Sequence, residues 1–177
     1  METNINRSLQ TLGVLVENKS GVLARVADLF ARRGFNIHSL AVAPTTDPAF
    51  SRINICVNVE SAPLEQVVKQ LFKLVNVVEI TELVLENAVE RELYVAKLDL
   101  GSSETPDALI EMIKAASGTV LKELDNQITI SVESNPSLID AFEEKLNSDY
   151  DVISAARSGR IGVSKMGQKV PIHRISH

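Results

Sequence analysis

Three histidines, one cysteine and one short polar loop are the raw material for chemistry in this 177-residue chain. His38, His173 and His177 are the histidines, and two of them fall in the last few residues, so no closely spaced set of Cys and His ligands exists for a zinc site. No Walker-type phosphate loop and no glycine-rich dinucleotide fingerprint is present. Cys56 sits inside the alternating run Ile53, Ile55, Val57, where a small buried thiol is the expected role rather than a nucleophile. His38, at the start of a strand-like stretch, reads as a structural or surface residue. A nucleophile with its base, or two differently tuned acids, is what catalysis would need, and neither pattern is found. The chain is therefore expected not to be an enzyme, and to hold no metal or cofactor of its own.

The loop Glu17-Asn18-Lys19-Ser20-Gly21-Val22-Leu23 remains. It joins an alternating strand pattern to a helical one, and a helix start offers unpaired N–H groups and the positive end of a dipole to a small carboxylate. Gly21 removes the side chain that would block that approach, and Asn18 can both donate and accept, as an amino acid zwitterion requires. The same residues also suit an ordinary turn, with Ser20 capping the helix and Gly21 easing the bend. Spacing alone fits both readings.

The elements that must position this loop occur twice. Leu12, Val14 and Val16 alternate as in a half-buried strand, and Val22, Val26, Leu29 and Phe30 follow at helical spacing up to a stop at Gly34. Phe35 to Ala43 and the run Ile53 to Val59 read as two more strands, and Pro63 opens a helix whose apolar stripe extends from Leu64 to Val75. Val77 to Leu85 returns as a strand. The order then begins again: a strand at Leu93 to Leu100, a helix after Thr105 and Pro106 that ends at Gly118, and a turn at Asp125 and Asn126 between two strands. A helix capped by Asn135 and Pro136 follows, with Leu138, Ile139, Phe142 and Leu146 inward, then a strand at Tyr150 to Ala156. This predicts an α+β chain of two consecutive ferredoxin-like βαββαβ domains, each of about 75 residues. The boundaries are drawn at 8–86, 87–160 and a tail at 161–177, because Glu86, Asn87, Glu90, Arg91 and Glu92 interrupt the apolar pattern and the tail has little periodicity.

A net charge of -5 excludes a global field for nucleic acid or an anionic membrane surface. No apolar run approaches the roughly 20 residues needed to cross a bilayer, and residues 1–7 lack the apolar core of a secretory signal. With a single cysteine a reducing compartment is expected, hence a cytoplasmic protein.

The stretches LGVLVENKSGVL (12–23), RVADLFARRGFNIHSLAVAP (25–44), LFKLVNVV (71–78), VEREL (89–93) and ARSG (156–159) closely resemble the regulatory small subunits of acetohydroxyacid synthase, also called acetolactate synthase. The first half looks like an ACT domain. The resemblance implies a homodimer in which paired ACT domains bind a branched-chain amino acid, typically valine, at their interface. Carried over by position, the effector site comprises Asn18, Ser20, Gly21, Val22 and Leu23 of one chain with Asn36 and Ile37 of the other, the asparagines holding the zwitterion and Val22, Leu23 and Ile37 the aliphatic side chain. His38 departs from the acidic residue expected after FNI. The resemblance also implies a catalytic large subunit as partner, carrying thiamine diphosphate, magnesium and FAD, which this chain activates and makes sensitive to feedback. A free-standing amino-acid sensor acting on another enzyme or a transcription factor is the alternative expectation.

Overall fold

The alternation of apolar residues in the first half produces four strands that pair through their backbones and turn one apolar face toward two helices. A computed structural model describes residues 9–59, 63–84, 86–101, 105–167 and 170–174. Its elements are β1 (Leu9–Glu17), α1 (Val22–Arg33), β2 (Ile37–Pro44), β3 (Phe50–Asn58), α2 (Leu64–Leu71), β4 (Val77–Leu83), β5 (Ala88–Asp99), α3 (Asp107–Ala115), β6 (Thr119–Leu124), β7 (Gln127–Ser134), α4 (Pro136–Asp149), β8 (Asp151–Arg157), β9 (Ile161–Ser164) and β10 (Ile172–Arg174). The βαββαβ order is present twice, as the periodicity predicts. The described residues up to Glu90 form one compact unit with those from Arg160 onward, and Arg91–Gly159 form a second.

In the first unit the strand order is β10-β4-β1-β3-β2, with antiparallel pairs throughout. Leu12, Val14 and Val16 of β1, Ile53 and Ile55 of β3, and Ile80 of β4 pack against Val26 and Phe30 of α1 and Val67 and Leu71 of α2. Helix α1 stops where Gly34 takes a left-handed conformation at φ 68°, which a residue with a Cβ adopts only at a cost. The opposite face of this sheet is covered too. There Thr11, Asn54, Cys56 and Thr81 are buried, the Gly162 N–H donates to Asn54 Oδ1 at 3.4 Å, and the Arg160 N–H donates to Ser39 Oγ at 3.3 Å.

Several details depart from the sequence expectation. Helix α2 ends at Leu71 rather than near Val75, because the N–H groups of Leu74 and Val77 bond to the carbonyls of Leu71 and Leu74 at 3.0 Å each and turn the chain. Val75 is consequently 86% exposed. The tail is not set apart: β10 pairs with β4 as a fifth strand, and β9 pairs with β5. His173 Nε2 contacts Glu82 Oε1 at 2.6 Å and Arg174 Nε donates to Glu79 Oε2 at 2.8 Å, so the tail's polar residues find partners on the strand that they flank.

The second unit has the strand order β6-β7-β5-β8, with α3 and α4 supplying Leu109, Ile113, Ile139, Phe142 and Leu146 to a core around Tyr94, Leu98, Ile128 and Ile130. Asn135 caps α4 as expected, its Oδ1 accepting the Leu138 N–H at 2.9 Å, but the Leu138 side chain is exposed rather than inward. Thr105 does not cap α3; its hydroxyl donates to Glu123 Oε1 at 2.9 Å. The left-handed residue after α3 is Ser117, at φ 58°, not Gly118. The charged stretch in which the boundary is drawn is part of the continuous strand β5, in which Ala88, Glu90, Glu92 and Tyr94 alternate as the buried positions. Arginines make this possible: Arg160 Nη1 lies 3.8 Å from Glu90 Oε2, and Arg157 Nε and Nη2 donate to Glu92 Oε1 and Oε2 at 3.0 and 2.6 Å.

Candidate effector site

The loop after β1 is built almost wholly from polar ties. The Asn18 N–H donates to the Ala49 carbonyl at 2.7 Å and its Nδ2 to the Pro48 carbonyl at 3.0 Å, pinning the loop to the turn before β3. Gly21 occupies the N-cap position with φ 81°, and no side chain caps α1. Ser20 therefore does not play the capping role that the simple-turn reading assigns to it. The first bond of the helical ladder runs from the Arg25 N–H to the Gly21 carbonyl at 3.1 Å, so the N–H groups of Leu23 and Ala24 precede the ladder. A Cβ built on Gly21 would meet nothing within 4 Å, so the backbone at this helix start is open to approach.

Asn18, Ser20 and Gly21 are exposed and Leu23 is partly so. Val22 differs: it is 4% exposed and belongs to the hydrophobic core, so its side chain is not available to enclose a ligand and only its backbone faces the loop. Asn36 is exposed, and Ile37 is half-buried against the same core. These two residues are not brought to the loop within one chain. Ile37 pairs with Val57, which pairs with Gln10, whereas Pro44 pairs with Ser51 and Ser51 with Val16. Ile37 and the 17–21 loop thus sit at opposite ends of the sheet, about 20 Å apart along the strands.

Charge around the loop is organised by Glu17. Its carboxylate accepts Lys19 Nζ at 2.9 Å and the Asn76 amide, and these bonds, Lys19 first, hold its pKa below the ordinary carboxylate value. Asn76 in turn accepts Arg25 Nη1 at 2.6 Å. Asn76 and Arg25 were not among the residues expected at this site; both lie in the stretches LFKLVNVV and RVADLFARRGFNIHSLAVAP, which were the available signal.

No group of three or more His, Cys, Asp or Glu able to hold a metal occurs among the described residues. Cys56 is fully buried and burial pushes its thiol pKa up, which suits a packing role. His38 is exposed, and His177 lies outside the described residues. No helix among the described residues is long and apolar enough to cross a membrane.

The comparisons with known proteins fall on both halves. Residues 12–79 match the family described as the AHAS small subunit-like ACT domain, and residues 91–166 match the family described as the small subunit of acetolactate synthase. The chain is 43% identical over 155 residues to the acetolactate synthase small subunit of Mycolicibacterium smegmatis, covering 88% of this chain and 90% of that one. It is 37% identical over 159 residues to the isozyme 3 small subunit of Escherichia coli K12, covering 90% and 96%. The solved structure of the small subunit from Thermotoga maritima superposes with a TM-score of 0.81 at 31% identity, covering 90% of this chain and 99% of that one. With both halves, both domain folds and nearly the full length of its relatives accounted for, the chain belongs to the family of acetolactate synthase small subunits, the non-catalytic regulatory subunits whose first domain is an ACT domain.

Proposed function

We propose that two copies of this chain pair through β2 and bind valine or a related branched-chain amino acid where the 17–21 loop of one meets Asn36 and Ile37 of the other. In this reading the dimer activates a catalytic acetolactate synthase subunit in the cytoplasm and makes it sensitive to the effector. Thiamine diphosphate, magnesium and FAD belong to that catalytic partner.

The register of β2 carries the proposal. Among the described residues β2 is the edge of the first sheet, with Leu40 and Val42 only partly covered. A two-fold axis near Leu40 and Ala41 would pair β2 antiparallel with its counterpart and set the partner's Ile37 opposite Pro44. That is the end of the sheet where Phe50 pairs with Glu17 and the Asn18 N–H meets the Ala49 carbonyl. The roughly 20 Å along the strands that separates the two halves of the site within one chain is removed across the dimer, leaving about three strand spacings, roughly 14 Å, for the 17–21 loop and a bound ligand to bridge. Gly21 leaves the helix start open to a carboxylate, and Leu23 and Ile37 offer half-exposed apolar surface for an aliphatic side chain.

Effector binding alters a partner's activity only if it favours one arrangement of the dimer, with a coupling of about 1–3 kcal/mol. The test is to titrate the isolated chain with valine, leucine and isoleucine in a calorimeter, and to add it to its catalytic partner with and without the same amino acids. Saturable binding together with stimulated, effector-sensitive acetolactate formation is expected. A chain that binds none of the three and leaves the partner's rate unchanged refutes the proposal.

A further inference from the structure

Asn76 sits in the bend between α2 and β4 and is 7% exposed. Its Oδ1 accepts Arg25 Nη1 at 2.6 Å, its Nδ2 donates to Glu17 Oε2, and its backbone carbonyl accepts the Glu17 N–H at 2.9 Å. One buried amide thereby joins three parts of the chain that are distant in sequence: the end of β1, the first turn of α1 and the bend before β4. The bend exists because α2 stops at Leu71, which brings Asn76 rather than an apolar residue to this point.

The loop that Asn76 backs has few apolar anchors. Asn18, Lys19, Ser20 and Gly21 are all exposed, so its shape depends on polar bonds: Asn18 to the 48–49 carbonyls on one side, Glu17 to Asn76 on the other. Arg25 also lines a groove of about 290 Å³ between α1 and α2, together with Arg33, Gln70 and Lys73. A displacement of the loop therefore reaches the solvent face of both helices through a single side chain.

We infer that Asn76 is a positioning residue of the effector site: it holds the loop in its binding shape and ties that shape to Arg25 and the α1–α2 face. The inference rests on the effector reading above. When a binding-competent conformation is only partly populated, the apparent affinity falls by that fraction. Removing both side-chain bonds of Asn76 lets the loop sample other shapes, and a fall to about one-tenth competent weakens effector binding about tenfold.

The test compares Asn76→Ala, Asn76→Leu and Asn76→Asp in the full-length chain. Calorimetry with valine reads effector affinity, and hydrogen exchange of peptides covering residues 18–24, without effector, reads loop opening. Asn76→Ala and the similarly sized apolar Asn76→Leu are expected to bind about tenfold more weakly and to exchange faster across 18–24, with exchange in β3 unchanged. Asn76→Asp keeps an acceptor for Arg25 but replaces the donor to Glu17 with a second carboxylate facing it, so alone it is expected to bind as weakly and exchange as fast as Asn76→Ala; combined with Glu17→Gln, whose amide can donate to the new carboxylate, it should return to within about threefold of the unsubstituted chain. Two results overturn the inference: unchanged 18–24 exchange in Asn76→Ala, or recovery by Asn76→Leu, which would mean that the residue only fills space. If the unsubstituted chain binds no branched-chain amino acid, the effector reading falls, and the exchange measurements still decide whether Asn76 holds the loop.

Discussion

Replacing Arg157 by alanine strands a buried charge, and the structure gives the size of the effect. Arg157 donates Nε and Nη2 to Glu92 Oε1 and Oε2 at 3.0 and 2.6 Å, and Nη1 to Asp140 at 2.6 Å and Glu143 at 3.1 Å. Burial opposes its charge, yet the bonds with Glu92 and Asp140 outweigh that and push the guanidinium pKa above its ordinary value. The partners are unequal. The Glu92 side chain is 4% exposed, whereas those of Asp140 and Glu143 are about a third exposed and keep much of their hydration. The loss is thus dominated by Glu92, left as an unpaired carboxylate in the interior. Breaking such a pair from one side costs roughly 3–5 kcal/mol, and because water reaches Arg157 itself we expect about 3 kcal/mol. For a unit of this size each kcal/mol moves the midpoint by about 4–8 °C, so thermal unfolding should shift down by roughly 12–24 °C. The chain contains two tyrosines, Tyr94 and Tyr150, and no tryptophan, and both tyrosines lie in the second unit, so tyrosine fluorescence during urea or thermal unfolding reports on that unit alone. The double variant Glu92→Gln with Arg157→Met, which removes both charges, should recover most of the loss. A deficit below about 1 kcal/mol for Arg157→Ala would refute the argument.

Gly21→Asp should fold normally, since the site is open and Asp is among the residues that tolerate a left-handed backbone, yet it should lose amino-acid binding in calorimetry by placing a carboxylate at the helix start; unchanged affinity would displace the site. Ser117→Gly and Gly118→Ala should act in opposite directions on the stability of the second unit. The first relieves a left-handed serine and adds up to about 1 kcal/mol, while the second brings a Cβ within 2.8 Å of Val132 Cγ2 and 2.9 Å of the Ser131 carbonyl, costing about 1–3 kcal/mol by urea unfolding. Cys56, buried and with its thiol pKa raised by burial, should react with a thiol reagent in the native chain only at the rate of local opening; reaction at the rate of a free thiol would contradict its placement.

The double βαββαβ order was legible because it rests on local periodicity. Leu12, Val14 and Val16 alternate whatever lies beside them, and Gly34 marks a helix end by its own conformational freedom. What spacing did not convey were decisions made by distant partners. Val75 continues the helical stripe of α2, but the chain turns after Leu71 and sets Asn76 against Glu17 and Arg25, neither of which periodicity connects to it. Val22 falls at the right place for a ligand contact by position along the loop, yet its side chain points into the core and only its backbone remains at the site. The tail lacks periodicity because a three-residue strand stapled by His173 and Arg174 is too short to show any. In the candidate site the loop was legible from Gly21 and the helix that follows, whereas its separation from Asn36 and Ile37 depends on strand register.

The charged stretch from Glu86 to Glu92, where one compact unit gives way to the other, is continuous strand from Ala88 onward. A lone glutamate in a strand interior would be a break, since burying an unpaired carboxylate is costly. Here Glu90 and Glu92 occupy the buried side of β5 because Arg160 and Arg157, nearly seventy residues later, arrive on the same side. The backbone reinforces the match: the Leu93 N–H donates to Ser158 Oγ at 3.0 Å and the Ser158 N–H to the Leu93 carbonyl at 2.9 Å. The stretches VEREL and ARSG, read in the sequence as two separate signatures, are thus two sides of one arrangement. Their charges also fix the register in a way that apolar residues would not. A slip of one residue between β5 and β8 would turn Arg157 to the opposite face of the sheet and leave Glu92 buried and unpaired, whereas a valine in its place would tolerate the slip at far smaller cost.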